Sequence, residues 1–246
     1  MNQKIISIGK VAKKLNISID TLRRWDKSGR FSAIRKSGKR FYRESDVDEL
    51  IKQETILSSD LFKTVLDWIS DSAPLEPESL FYCPNSLVFQ SRVMKFEKNI
   101  SHLIGLEKTF PLISAIVGEI GNNSFDHNLG NWTDIPGVFF GYDLNKREVV
   151  LADRGQGVLK TLQRVRPQLS SDEQALKVAF SEIISGRAPE ARGNGLKFVK
   201  KIVTTNNFKL FFRTGSAELN LQRGTTDLHI KKEKNYLQGC IALINF

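Results

Sequence analysis

Cysteine is nearly absent from this chain. The two present among 246 residues, Cys83 and Cys240, stand too far apart to form a CxxC metal or redox pair. A disulfide framework is therefore not expected, and both read as small core residues. Long apolar runs are missing as well: none approaches the ~18 residues that a membrane-crossing helix requires. The opening stretch MNQKIISIGKVAKK lacks the unbroken apolar segment of a secretory signal, so the expected compartment is the cytoplasm. A hydrophobic fraction of 40% is ordinary for a soluble globular protein, and the length suits one large domain or two small ones.

Charge is abundant but unevenly placed. Residues 1–54 hold 14 Lys/Arg against 7 Asp/Glu, so +7 of the formal +10 falls within them and +3 is left for the rest. A small, concentrated positive region favours a polyanion, because neutralised phosphates release condensed counterions. On charge alone, a solvated basic face would serve equally well.

Apolar residues recur at helical spacing from Ile8 to Leu15, and Asn16-Ile17-Ser18 then break the run. Ser18 suits an N-cap for a second helix, Ile19–Asp26, with Asp20 in its first turn and Gly29 beyond its end. Two short helices joined by a tight turn make a helix-turn-helix. The second would turn Thr21, Arg23 and Arg24 towards a DNA major groove, while Leu22 and Trp25 face the core. Residues 32–42 then read as a hairpin with a basic tip turning at Gly38, followed by an acidic helix start at Glu44-Ser45-Asp46-Val47.

The passages IGKVAKKLNISIDTLRRW and SGKRFYRESDVDEL resemble the MerR-type winged helix-turn-helix. That resemblance implies binding of double-stranded DNA by recognition helix and wing, with phosphate contacts on Arg23, Arg24, Lys39, Arg40 and Tyr42. Related winged domains also serve protein contacts. In place of the long dimerising helix usual in such regulators stands a mixed stretch around Pro74 and Pro77 with one amphipathic piece, Leu61–Ile69, read as a connector over residues 55–80.

Beyond it a long helical pattern starts near Pro111, with Ile113, Ile116, Val117 and Ile120 on one face. Beside that face runs a polar stripe of Glu119, Asn123 and Asp126/His127, costly at a core border unless a ligand or network satisfies it. Two apolar strands follow, Gly137–Asp143 and Glu148–Asp153, joined at Asn145-Lys146. The second ends in Asp153-Arg154-Gly155-Gln156-Gly157, a carboxylate at a strand end with two glycines that permit close approach to the backbone. Later the basic, glycine-rich loop 185–196 opens directly into the helix Lys197–Val203, a usual setting for phosphate.

Each motif is weak alone. Their order, E-x-x-x-N on a helix, D-x-G-x-G after a strand and G-x-G-L opening a helix, separated by about 30 and 40 residues, resembles the GHKL ATP-binding fold over about residues 108–246. This resemblance implies ATP and magnesium as cofactors. Asn123 would be the magnesium ligand and Asp153 would accept a hydrogen bond from the adenine amino group. Gly155 and Gly157 would admit base and sugar, and Arg187, Arg192, Gly193, Gly195 and Leu196 would surround the phosphates. Glu119 would activate the attacking water in members that hydrolyse ATP. Lys197 stands where the kinase members have a glycine, and Cys240 where threonine is common.

The sequence thus points to an α+β protein: a winged helix-turn-helix over residues 1–54, a connector over 55–80, and a two-layer α/β sandwich over 81–246. The corresponding function is an ATP-binding, DNA-binding regulator with slow ATPase turnover, able to form a homodimer or engage a regulatory partner protein. Two alternatives stand beside it: a serine kinase of the anti-sigma type acting on a partner, and a non-catalytic adaptor holding ATP. The upstream histidine, His102, lies only 17 residues before Glu119, which argues against autophosphorylation.

Overall fold

The computed structural model describes residues 4–15, 18–29, 31–48, 61–182 and 195–246. The chain divides into two compact units, Met1–Ser59 and Asp60–Phe246.

In the first unit, strand β1 (Ile5–Ser7) leads into helices α1 (Ile8–Lys14) and α2 (Ile19–Ser28), followed by β2 (Ile34–Lys36) and β3 (Lys39–Arg43). Ser18 caps α2 by accepting the amide of Thr21 at 3.0 Å, and Gly29 closes the helix in a left-handed conformation. The wing turns through Ser37 and Gly38, both at positive φ, which matches the right-handed twist of the paired strands. Beyond the expected hairpin, β1 pairs with β3, so the sheet order is β1-β3-β2. Residues 44–48 are helical, as the acidic start implies. Val11, Leu15, Leu22, Trp25, Tyr42 and Val47 form the core.

The second unit opens with α3 (Leu61–Ser70), inside the stretch read as a connector. Next come β4 (Tyr82–Cys83), α4 (Ser86–Ile100), α5 (Phe110–Asn128), β5 (Val138–Asp143), β6 (Glu148–Asp153), α6 (Gly157–Gln163), α7 (Asp172–Ser181), α8 (Gly195–Thr205), β7 (Lys209–Gln222) and β8 (Ile230–Asn245). The five strands form an antiparallel sheet in the order β4-β5-β6-β8-β7. Strand alternation sends Val138, Phe140, Val149 and Leu151 into the helical layer, where they meet Phe89, Phe96, Ile113, Ile116 and Val117. Over residues 81–246 this is the expected two-layer sandwich.

Helix α3 covers the opposite face. Its Phe62 meets Phe211 edge-on at 5.3 Å and its Trp68 lies 5.8 Å from Phe139. Leu61, Val65 and Ile69 are fully buried, and each contributes roughly 1.5–3 kcal/mol by leaving water. Gly141 makes room for this helix, because a β-carbon there would stand 3.0 Å from both Leu61 and Phe81. The closing strand is longer than the apolar run 239–244 suggests: β8 pairs with β7 over most of its length, across bulges at Gly215.

Candidate functional site

Asp153 ends β6 with its carboxylate buried at 2% exposure. Burial alone would make the charged form costly, and it pushes the pKa above the usual aspartate range. Three donors oppose that shift. Ser124 Oγ donates to Oδ2 at 2.7 Å, the amide of Gly155 to Oδ1 at 2.9 Å, and Asn128 Nδ2 to Oδ1 at 3.3 Å. With two donors on Oδ1 and one on Oδ2, the second oxygen keeps acceptor capacity for one more.

The loop after β6 is folded against α5 by the Asn128 amide. Its Oδ1 accepts the backbone amide of Gln156 at 3.0 Å, while Nδ2 also donates to Ser124 O at 2.9 Å. A β-carbon on Gly155 would overlap the Asn128 side chain. Gly155 is thus required by a protein neighbour. Gly157, at φ +76, faces Thr214 Oγ1 and the carbonyl of Gly239. Thr214 donates to Gly239 O at 2.9 Å and accepts the Val158 amide at 3.2 Å, which ties the start of α6 to β7 and β8. Asp153, Cys240 and Thr214 are Cα partners across three neighbouring strands, so a threonine occupies this row one strand beyond the position of Cys240.

Arg154, inside the same motif, has a different task. Its guanidinium takes Asp134 through Nε and Nη2, at 3.0 and 2.8 Å to Oδ2, and donates from Nη1 to the carbonyls of Trp68 at 3.2 Å and Ile69 at 2.6 Å. Those carbonyls belong to the last turn of α3, where Trp68 O also accepts the amide of Asp71 at 3.4 Å, so the arginine closes the C-terminus of that helix. Asp134 is held below the usual aspartate range by this hydrogen-bonded ion pair and by the amide of Ile135, against the opposing cost of its burial.

At the other end of the site, α8 begins at Gly195. A β-carbon there would lie 2.6 Å from Glu119 Oε2 and 3.3 Å from Asn123 Nδ2. The structure therefore brings Glu119 and Asn123 of α5 against the amino end of α8, next to Leu196. His127, one turn further along α5, is half-buried, and its pKa is lowered by burial and then by Arg164. Its carbonyl accepts Gln156 Nε2 at 2.6 Å. Arg187, Arg192 and Gly193 lie outside the described residues. Among the described residues no group of three or more His, Cys, Asp or Glu could hold a metal ion.

Sequence reading missed Ser124, Asn128 and Thr214. A signal for the first two exists, since a serine and an asparagine four apart sit among the apolar positions of α5 and are both buried. Thr214 carries no such pattern, because its role depends on strand pairing.

On the first unit, Arg24 and Lys39 are exposed, and Arg23 is exposed while bonded to Asp20 at 2.8 Å. Thr21 meets the Ser18 hydroxyl at 2.9 Å. Arg40 gives its Nε to Asp26 at 2.7 Å, which draws it towards the domain surface. Tyr42 requires a correction: it is 1% exposed, stacked on Phe31 with centroids 4.8 Å apart, so it supports the core and cannot reach a phosphate.

No curated protein matches the chain. Among solved structures, it is similar to the 43K ATPase domain of Thermus thermophilus gyrase B in complex with an aminocoumarin, at 17% identity and a TM-score of 0.35, over 63% of this chain and 40% of that one. It is also similar to the ATPase region of Saccharomyces cerevisiae topoisomerase II, at 12% identity and a TM-score of 0.36, over 54% of this chain and 37% of that one. The chain spans about two fifths of the length of these structures. Residues 7–42 match the family model of the MerR family regulatory protein, a match that takes in the helix-turn-helix and most of the wing.

Proposed function

We propose that the second unit binds ATP with magnesium between α5, the end of β6 and the start of α8, and that the chain is a DNA-binding regulator whose state follows that nucleotide. The observation carrying this reading is the buried Asp153 carboxylate, fixed by Ser124, Asn128 and Gly155 with one acceptor position left on Oδ2. An exocyclic amino group satisfies that position, whereas the oxo group of guanine would set lone pairs against it. The site therefore selects adenine.

The remaining groups fit a triphosphate. The amino end of α8 would present its first-turn N–H groups and positive dipole end, and Glu119 and Asn123 stand beside it. Asn123 would offer its amide oxygen to a magnesium ion, which would supply charge neutralisation at the phosphates. Glu119 would then orient or deprotonate a water for slow hydrolysis. Arg187, Arg192 and Gly193 would enclose the phosphates. DNA would be held by the first unit through Arg23, Arg24 and Lys39, supported by the family match over residues 7–42.

The test is titration calorimetry of the purified chain with magnesium and ATP, GTP or ADP, for wild type, Asp153→Ala and Glu119→Ala. ATP is expected to bind wild type and Glu119→Ala, and Asp153→Ala is expected to lose it. Free phosphate should appear only where Glu119 is present. Unchanged ATP affinity in Asp153→Ala would defeat the assignment, and transfer of label to a co-purified protein would replace hydrolysis with kinase chemistry.

A further inference from the structure

The second unit carries its own charge division. Residues 195–246 hold nine Lys/Arg against three Asp/Glu, whereas residues 60–194 hold fourteen against seventeen. The basic share begins on α8, which has no acidic residue. With 3.6 residues per turn, Lys197, Lys200, Lys201 and Thr204 fall on one stripe, opposite the buried Val199, Ile202 and Val203. Lys201 is exposed, and Lys197 and Lys200 are partly so.

The stripe continues past the end of the helix. The amide of Gly224 donates to Thr204 O at 2.9 Å, which sets the β7–β8 turn, with the exposed Arg223, against the last turn of α8. Among the described residues none of Lys200, Lys201 and Arg223 has an ion-pair partner within 4.0 Å, while Lys232 on the same hairpin faces Glu173 at 3.9 Å. A row of uncompensated cations along α8 and into the adjoining β7–β8 turn is an electrostatic footprint without a counterpart among the described residues.

We infer that the α8 stripe of Lys197, Lys200 and Lys201, extended by Arg223, is a second contact for the phosphate backbone of duplex DNA. Flexible lysines on a convex helix face suit phosphates, which are read by charge without a shaped pocket. Duplex DNA is favoured over an acidic protein because the same chain bears a helix-turn-helix unit. Tethering then raises the effective concentration of DNA at the second contact without any new specificity. The inference rests on the proposal that the first unit binds DNA.

The test uses the full chain and a random-sequence duplex, with the dissociation constant followed by fluorescence anisotropy over roughly 50–200 mM salt. The variants are Lys200→Gln/Lys201→Gln/Arg223→Gln and, separately, Arg23→Ala/Arg24→Ala. Lys197 is left intact because it neighbours the nucleotide site. Losing three phosphate contacts is expected to lower the slope of log K against log salt by roughly 2 to 3. A triple variant with wild-type slope and affinity overturns the inference, and so does a stripe that captures polyglutamate in preference to duplex. If Arg23→Ala/Arg24→Ala weakens binding while the triple variant does not, only the second contact falls. The reverse result removes the first unit from the DNA-binding reading and leaves the α8 stripe standing, and a wild-type chain that binds no duplex removes both.

Discussion

The side chain of Asn128 occupies the place that a β-carbon on Gly155 would need. One amide therefore governs both the backbone at the D-x-G-x-G loop and, through its hydrogen bond to Oδ1, the carboxylate of Asp153. Gly155→Ala should destabilise the second unit by roughly 1–3 kcal/mol, the usual cost of forcing extra volume into a packed site. Asn128→Ala should make that second substitution much cheaper, giving a coupling energy of opposite sign in a double-mutant cycle measured by chemical denaturation. Strict additivity of the two changes would show that the amide does not dictate the glycine.

Asp153 supplies a pH signature. Burial raises its folded-state pKa above the unfolded value, so between the two values the native chain binds more protons than the unfolded one. Stability contributed by this group then falls as pH rises through that window, and is lowest above the folded pKa. Asp153→Asn removes the effect. Its Nδ2 can face the Ser124 hydroxyl, which has Ile120 O at 3.4 Å as an alternative acceptor, while Oδ1 keeps the Gly155 amide. Compared with wild type, the variant should gain relative stability as pH rises above the ordinary aspartate range, while losing ATP. Parallel stability profiles for the two proteins would contradict the buried-charge account.

These two residues also show how far sequence reading reaches. The helix of Glu119 and Asn123, the two strands around Asn145 and the cap at Ser18 follow from local periodicity and turn chemistry, which neighbours along the chain determine. Thr214 and the latch of Asn128 on Gly155 arise from strand pairing and helix packing between distant segments, for which one sequence offers no period. Strand β7 illustrates the limit. Its run Lys209–Gln222 alternates buried and exposed positions, but the bulges at Gly215 shift the register midway. Helix α3 shows the other failure: its apolar stripe was visible as Leu61–Ile69, yet only the sheet face beneath it explains why the helix docks.

Arg154 fixes that docked helix to the motif loop, and its replacement tests the join. Arg154→Met removes the side-chain donor shared by two terminal carbonyls of α3 and the Asp134 carboxylate, at an expected cost of roughly 2–4 kcal/mol. Amide exchange should accelerate first in α3 and only later in the strands beneath it. Arg154→Lys should rescue little, since one ammonium cannot span a carboxylate and two carbonyls with the geometry of a planar fork. Uniform acceleration across the whole second unit would mean that the arginine acts on global stability alone.

The first unit separates a core tyrosine from surface cations. Tyr42 points its hydroxyl at Leu22 O over 3.5 Å, a weak contact, and its ring is enclosed by the helix-turn-helix core. Tyr42→Phe keeps the stacking on Phe31 and should cost less than about 1 kcal/mol of stability, with DNA affinity unchanged. Tyr42→Ala removes the ring and should unfold the unit, costing roughly 3–5 kcal/mol. Arg24→Ala, at an exposed position on α2, should leave the fold intact while lowering the salt slope of duplex binding by about 1, the signature of one lost phosphate contact. Circular dichroism melts paired with anisotropy titrations distinguish the three variants. A loss of DNA affinity in Tyr42→Phe with an unchanged melt would return the hydroxyl to the binding surface and show that the wing opens when DNA is bound.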